Sequence, residues 1–285
     1  MADGAHRGVP RRRQRQRRRN VTALLASVRS AEEAAQALAG GADLIDFKEP
    51  AAGALGRLPD GVIRASLAVL NGVRPTSATA GDLPLSPVPI AAEARGVAAT
   101  GVDFVKIGMF GGGPERDAVV DALAAVAADG VALIAVLFAD RGGELDADLV
   151  GRCADAGFRG VMLDTADKAA GPLLRHLGVE ALGRFVAAAR RRGLLTGLAG
   201  SLRVEDVAVL APLDADYLGF RTALTRGGDR TGGLDPDRVA AVRARLDQAG
   251  LVAAARSASD AAGAASAAAS ARAGVAASMM SAKLR

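Results

Sequence analysis

The chain has 285 residues, of which 50% are hydrophobic and only 3% aromatic, enough for one large domain or two small ones. Its longest unbroken apolar run, residues 131–139, is too short to cross a bilayer, which takes about 20 apolar residues, so the composition indicates a soluble protein. The single cysteine, Cys153, excludes an internal disulfide framework. The first twenty residues lack the apolar core of a secretory signal, so a cytoplasmic location is expected.

The formal net charge of +5 is unevenly distributed along the chain. Residues 1–20 hold eight arginines against one aspartate, a balance of 8 − 1 = +7, so the rest of the chain carries 5 − 7 = −2. An arginine-rich arm can bind nucleic acid or an acidic membrane surface through its phosphates. No aromatic residues are interleaved in this arm for base stacking, so we expect a disordered segment and predict neither nucleic acid nor membrane as a partner.

After residue 20, short β-rich runs alternate with helical stretches that end in glycine. The first helix has clear signals, because Ser30 and Glu33 form a capping box and Gly41 provides a left-handed stop. Further helices are predicted near 60–71, 88–100, 115–128, 146–156, 178–192, 203–210 and 236–248. Eight strands are predicted, at 21–28, 42–49, 75–82, 103–110, 132–139, 160–165, 194–201 and 215–222.

Eight strands that alternate with eight helices predict an α/β fold, a single closed parallel (β/α)8 TIM barrel over residues 21–248. A weak internal repeat supports it, since a small residue, an aspartate and an apolar strand recur at 41–45, 101–105 and 214–218. The competing fold, a doubly wound open sheet, is disfavoured because no Gly-x-Gly-x-x-Gly follows the first strand. Residues 249–285 are mostly Ala, Ser and Gly and predict a helix-capable or disordered tail.

Three lysines lie where an apolar run gives way to a turn: Lys48, Lys106 and Lys168. An ammonium group inside a strand is costly unless a carboxylate or a substrate anion lies opposite it. Strand alternation puts Asp46 and Lys48 on the inward face of the second strand, Lys106 on that of the fourth and Asp164 on that of the sixth. Because active sites gather at the carboxyl ends of barrel strands, we predict that these five side chains share one pocket.

An amine-and-carboxylate pocket fits a carbonyl substrate, in which one lysine forms a Schiff base and the other groups move protons. The structural alternative is that Asp46–Lys48 and Asp164–Lys168 are ion pairs that close the top of the barrel. The number of charged groups at equivalent depth on three strands favours catalysis. Two histidines and one cysteine cannot form a His-rich transition-metal site, so we predict neither a metal nor a cofactor.

Glycine-bearing loops after the seventh and eighth strands are predicted to hold a substrate phosphate, since barrels often bind this group there through backbone N–H groups. A flexible loop is the alternative for the segment 227–233. The candidate phosphate-binding residues are Gly200, Ser201, Gly219, Arg221 and Gly228.

Six motifs resemble, in order and spacing, the (5-formylfuran-3-yl)methyl phosphate synthase family over nearly all of residues 21–247. They are Asp46-Phe47-Lys48-Glu49-Pro50, Ser77-Ala78-Thr79-Ala80-Gly81-Asp82, Val105-Lys106-Ile107-Gly108, Met162-Leu163-Asp164-Thr165-Ala166-Asp167-Lys168, Leu198-Ala199-Gly200-Ser201 and Gly227-Gly228-Asp229-Arg230. The resemblance implies a lyase-type synthase that condenses two glyceraldehyde 3-phosphate molecules, with loss of phosphate and water, into the furan precursor of methanofuran-type C1 carriers.

By resemblance, Lys48 is the Schiff-base lysine, Lys168 with Asp164 transfers protons, and Lys106 and Asp46 assist. An iminium at Lys48 would give an enamine that adds to the second aldehyde. The alternatives are a generic Schiff-base aldolase for phosphorylated sugars and, less favoured, a nucleic-acid-binding protein that uses the arginine-rich arm. The Ala-rich outer helices are compatible with a homo-oligomer.

Overall fold

The computed structural model describes residues 22–141, 147–252 and 254–255. Its eight parallel strands are hydrogen-bonded in chain order, and the last strand pairs with the first to close a barrel. The predicted TIM barrel is therefore confirmed, and an open sheet is excluded. The strands are β1 Ala23–Val28, β2 Leu44–Phe47, β3 Thr76–Thr79, β4 Phe104–Gly108, β5 Leu133–Phe138, β6 Gly160–Asp164, β7 Leu195–Leu198 and β8 Tyr217–Phe220.

Helices lie between the strands and around the outside of the barrel. They are α1 Ala31–Ala39, α2 Asp60–Leu70, α3 Pro87–Ala98, α4 Gly113–Ala128, α5 Ala147–Asp155, α6 Leu173–His176, α7 Val179–Arg191, α8 Val207–Leu210 and α9, residues 236–252. The short α6 precedes the helix predicted at 178–192. The helix expected at 203–210 begins late, so that only α8 is α-helical, and a 3-10 turn, Ala211–Leu213, follows it. None of the described helices is long and apolar enough to span a membrane.

Two predicted segments fall largely outside this description. The arginine-rich arm, residues 1–20, lies outside the described residues, and so does most of the tail predicted for 249–285. Within that tail, residues 249–252 continue α9 past the predicted end of the barrel domain at 248.

Side chains alternate between the two faces of each strand as predicted. Outward-facing residues such as Phe47 and Ile107 join the helices in one large buried cluster. Inward-facing residues such as Leu25, Met162 and Tyr217 form a smaller cluster inside the barrel. The polar inward positions of β2, β4 and β6 adjoin this inner cluster toward the carboxyl ends of the strands.

The aspartate of the internal repeat has a structural role at the opposite end of the barrel. Asp43, Asp103 and Asp216 each accept a hydrogen bond from the backbone N–H of a residue on the preceding strand, at 2.8 Å in every case. A carboxylate that accepts from a strand's first N–H groups satisfies donors that have no ladder partner there. The repeat therefore marks the entry to the strands and not the catalytic face.

The strands are staggered around the barrel. The stagger is found by following paired residues from strand to strand around the barrel, with each register extended past the strand ends where needed. A path that starts level with Arg221, one residue after β8, comes back level with Leu213, before β8, so the stagger is 221 − 213 = 8 residues. This is the stagger of TIM barrels, in which alternate strands supply the side chains of one horizontal layer. It determines which strand-end residues meet in the barrel mouth.

Candidate active site

The even-numbered strands supply two successive layers at the top of the barrel. Because the strands are staggered, residues of one layer lie two positions further along each successive even strand than the hydrogen-bonding register alone would give. The register pairs Asp46, through β3, with Phe104, so the residue in the same layer as Asp46 is Lys106. The lower layer consists of Asp46, Lys106, Met162 and Gly219, and the upper layer of Lys48, Gly108, Asp164 and Arg221. Lys48 thus lies one layer above Lys106, whereas the sequence had suggested equal depth.

The lower layer contains a buried ion pair. The Nζ of Lys106 lies 2.9 Å from Oδ1 of Asp46, and the hydroxyl groups of Ser77 and Ser27 donate to the same carboxylate at 2.6 and 3.0 Å. Burial by itself raises the pKa of Asp46, but Lys106, Lys48 and Ser77 together outweigh it, and the net pKa lies below the usual 3.8. Burial lowers the pKa of Lys106 from its usual 10.5, although Asp46 opposes this shift.

The upper layer contains a second pair, formed with the loop after β6. The Nζ of Lys168 donates to Oδ1 of Asp164 at 2.7 Å and also contacts the carbonyl and hydroxyl oxygens of Thr165. Burial alone would raise the pKa of Asp164, but the ammonium groups of Lys168 and Lys48 have the larger effect and lower it to about 2. Burial likewise lowers the pKa of Lys168, against the opposing effect of Asp164, so this amine can exchange a proton closer to neutral pH than a free lysine.

Lys48 differs from the other two lysines. Its side chain is 9% exposed, and its Nζ lies 3.7 Å from Oδ2 of Asp164, beyond hydrogen-bonding distance. The alternative pair Asp46–Lys48 is not found as an ion pair among the described residues, because Asp46 is turned to Lys106 in its own layer. Lys48 is therefore the lysine whose amine is held least by protein groups at the mouth of the barrel.

The structure brings nearly all the predicted site residues to one cleft. Its lining includes the five charged residues of the two pairs and Lys48, together with Gly200, Ser201, Gly219 and Arg221. Gly228 lines an adjoining groove that shares Lys168 and Ser201 with the cleft. Within the described part of the chain, no group of three or more His, Cys, Asp or Glu side chains is arranged to hold a metal ion.

The loop after β7 has the backbone geometry of an anion site. Gly200 and Ser201 have positive φ values of 109° and 51°, and the N–H of Ser201 has no acceptor among the described residues. A side chain at Gly200 would lie 3.0 Å from Thr165, so the close approach requires glycine. Gly219 is equally confined, since its Cβ would lie 3.0 Å from that of Ala199.

Arg221 is placed at the cleft but is already engaged. Its Nε donates to the carbonyl of Arg230 at 2.8 Å, and its two Nη atoms donate to both carboxylate oxygens of Glu33 and to the carbonyls of Ser27 and Gly232. An arginine has five N–H donors, and all five are used here. In this arrangement none is left for the phosphate that the sequence had led us to expect at Arg221.

Three residues at the cleft were not among the predicted site residues. Ser27 orients Asp46, Glu33 holds Arg221, and Arg230 lines both the cleft and the adjoining groove. Glu33 was assigned only to the helix cap, where it does accept from the N–H of Arg29 at 2.9 Å. The signal for Arg230 was its place in the Gly-Gly-Asp-Arg motif, which marks a loop that returns to the mouth.

In chemical terms, the cleft combines an amine that no carboxylate holds by a hydrogen bond with a carboxylate–ammonium pair that can move protons and with cations that attract an anion. These are the functional groups that covalent binding and rearrangement of a phosphorylated carbonyl compound require. A nucleophile of the serine–histidine type is absent from the described lining.

The family model described as 4-HFC-P synthase matches residues 24–243. The chain is 48% identical over 217 residues to a Methylorubrum extorquens protein of this family, covering 76% of this chain and 88% of that one. It is 40% identical over 218 residues to the (5-formylfuran-3-yl)methyl phosphate synthase of Methanopyrus kandleri, with 74% of this chain and 92% of the relative covered.

Among solved structures, 3-keto-L-gulonate-6-phosphate decarboxylase from Vibrio cholerae matches 80% of this chain and 98% of its own with a TM-score of 0.56. At 13% identity this likeness shows the TIM-barrel fold alone. The family model goes further, because its match over residues 24–243 extends from β1 past the end of β8. The resemblance drawn from those motifs is confirmed, and the chain belongs to the (5-formylfuran-3-yl)methyl phosphate synthase family.

Proposed function

We propose that this protein makes (5-formylfuran-3-yl)methyl phosphate from two molecules of glyceraldehyde 3-phosphate through a Schiff base on Lys48, as a lyase in methanofuran-type biosynthesis. Family membership supports the product. The observation that supports the covalent step is the contrast among the lysines, since Lys106 and Lys168 are bound by carboxylates at 2.9 and 2.7 Å while Lys48 has none closer than 3.7 Å. A covalent amine must be free to reach a carbonyl carbon.

The atoms of the reaction balance when two triose phosphates give one product, one phosphate and two molecules of water. The formyl group and the adjacent ring carbon correspond to C1 and C2 of the triose that loses its phosphate. The phosphomethyl group and the ring carbon that bears it correspond to C3 and C2 of the other triose. The new carbon–carbon bond therefore joins C3 of the first triose to C2 of the second, and not to the aldehyde carbon that the resemblance had suggested.

A direct route follows from this connectivity. The amine of Lys48 attacks C1 of the first triose and releases water to form an iminium, which acidifies the hydrogen on C2. Loss of that proton expels phosphate from C3 and leaves an enol whose C3 is nucleophilic. This carbon adds to C2 of the second triose, which reacts as its ketone isomer.

The remaining steps release water. One molecule leaves from the new alcohol, and a second leaves after the C1 hydroxyl of the second triose closes on the C2 carbonyl of the first to form the aromatic ring. Hydrolysis of the iminium returns the water taken at the start and frees Lys48 with the formyl product. Lys168 and Asp164 lie beside Lys48 and carry the protons, while Lys106 and Asp46 support it from the layer below.

Turnover of glyceraldehyde 3-phosphate tests this proposal. We expect an ultraviolet-absorbing furan whose mass equals that of two triose phosphates less one phosphoric acid and two waters, with one phosphate released for each product. Lys48→Arg keeps the positive charge but removes a usable nucleophile, and should lower the rate by more than about a thousandfold. Furan formation by this variant at the wild-type rate would contradict the proposal. An open-chain product that retains both phosphates would identify a class I aldolase instead.

A further inference from the structure

The charged groups at the cleft are not evenly matched. Every carboxylate in or directly behind the cleft is hydrogen-bonded to one cation, in the pairs Asp46–Lys106, Asp164–Lys168 and Glu33–Arg221. Among the described residues, no carboxylate lies within hydrogen-bonding distance of the other two lining cations, Lys48 and Arg230. Lys48 is assigned to the carbonyl carbon, so Arg230 is the fixed positive charge that has no assigned partner.

Arg230 has donors to spare. It is half-buried, and its Nη2 donates to the carbonyl of Gly53 at 3.1 Å. That carbonyl is the one acceptor it contacts among the described residues, which leaves four of its five N–H donors for a ligand. The guanidinium thereby bridges the loops that follow β8 and β2, over the opening in which Lys48 and Lys168 lie.

The position of Arg230 is set by the buried pair behind it. Arg221 donates to the backbone carbonyls of Arg230 and Gly232, at 2.8 and 2.7 Å, and so fixes the main chain on both sides of Thr231. Glu33 contacts both Nη atoms of Arg221 and is only 5% exposed. The chain can fold back at this point because Gly227 and Gly228 have φ values of 70° and 73°.

Backbone donors without acceptors belong to residues that line the same cleft. The N–H groups of Ser201 and Thr222 have no acceptor among the described residues, and both residues line the cleft and the adjoining groove with Arg230. A planar guanidinium and backbone N–H groups that lack acceptors match the several acceptor oxygens of a phosphate monoester. A carboxylate ligand would leave part of this donor set unused.

We infer that Arg230 binds the phosphate group of a triose phosphate substrate, and that the buried Glu33–Arg221 pair is the positioning device that holds Arg230 over the cleft. The assignment of the substrate as a triose phosphate rests on the proposed function. The ligand class, a phosphate monoester, rests on the donors alone. Arg221 thus acts through Arg230 and does not itself contact the phosphate.

Binding of glycerol 3-phosphate, measured by calorimetry, tests this inference apart from the chemistry, because this ligand has no carbonyl and cannot react with Lys48. Arg230→Gln should weaken binding on the order of ten- to a hundredfold, the effect of losing hydrogen bonds to a charged group. Arg226→Gln is the matched control on the same loop, since Arg226 is exposed and does not line the cleft, and its affinity should stay within about twofold of wild type. Arg230→Lys should recover only part of the affinity, because an ammonium lacks the planar fork.

The positioning role is tested by a double-mutant cycle. Glu33→Gln should weaken binding in the wild-type background but have little further effect in the Arg230→Gln background, because Glu33 acts only through Arg230. Equal losses in both backgrounds would show that Glu33 merely supports the fold, and would overturn the positioning role.

The other outcomes are equally decisive. Equal affinity of Arg230→Gln and wild type for glycerol 3-phosphate, or no binding by wild type, would overturn the assignment of Arg230. Binding that depends on Arg230 in a protein that makes no furan would support the assignment and reject the proposed function.

Discussion

The two aspartates of the barrel mouth show how buried charges are made tolerable at a site that needs them. Each has a lysine within 2.9 Å, and each keeps a pKa below its usual value although burial alone would raise it. The lysines are shifted in the direction that disfavours their charge, because burial lowers the pKa of Lys106 and Lys168. The carboxylates therefore stay ionised at neutral pH while the amines become better proton carriers.

Asp164 should give the protein a measurable sensitivity to acid. Its pKa is about 2 in the folded state, against 3.8 for a free carboxyl group, so its ion pairs stabilise the fold fully above pH 3.8. This stability is lost as the pH falls toward 2, and amounts to about 2 kcal/mol. Urea unfolding of Asp164→Asn between pH 5 and pH 2 should therefore show a flatter decline in the free energy of unfolding than wild type.

Asp237→Asn is the matched control for this measurement, because Asp237 is exposed and forms no ion pair with another described residue. Its decline should follow that of wild type. If Asp164→Asn also follows wild type through the whole window, the carboxyl group of Asp164 is not held ionised by its lysines.

At the scale of an element, β7 shows that the two ends of a barrel strand have different roles, one in stability and one in the site. Glycines with positive φ flank it, Gly193 at the amino end with 75° and Gly200 at the carboxyl end with 109°. A Cβ at Gly193 would meet open space, whereas one at Gly200 would lie 3.0 Å from Thr165, the residue whose oxygens contact Lys168. The amino end serves stability and the carboxyl end serves the site.

We expect Gly193→Ala and Gly200→Ala to differ in activity more than in stability. Each forces alanine into a left-handed conformation, which should lower the free energy of unfolding by about 1–2 kcal/mol. Only Gly200→Ala should also displace the loop beside Lys168, and lower kcat/KM for glyceraldehyde 3-phosphate by up to about a hundredfold. Equal activity of the two variants would show that the loop after β7 has no part in the reaction.

At the scale of the whole molecule, the sequence was sufficient for the barrel and for the residues that line its mouth. The number of strands and the inward side of β2 and β4 follow from periodicity, because each is a local property of the chain. The order of the strands follows from their regular alternation with helices. Helix bounds were less accurate, as at α8, which begins at Val207 and not at the predicted residue 203.

The pairing of the charges was not accessible in the same way. Asp46 meets Lys106 and not Lys48 because the eight-residue stagger sets the layers, and a stagger is a relation among all eight strands. Arg221 meets Glu33 across 188 positions of sequence, and nothing local to either residue indicates that contact. Periodicity thus predicts which side chains enter the cleft, but the closed barrel determines which of these side chains form ion pairs with one another.

The most direct test of the account is the site of covalent attachment in the full chain. Borohydride reduction in the presence of glyceraldehyde 3-phosphate, followed by peptide mass analysis, should place the reduced adduct on Lys48. The label should be absent from Lys48→Arg and present in Arg226→Gln. An adduct on Lys168 or Lys106 in place of Lys48, or none on any lysine while furan is formed, would contradict the account.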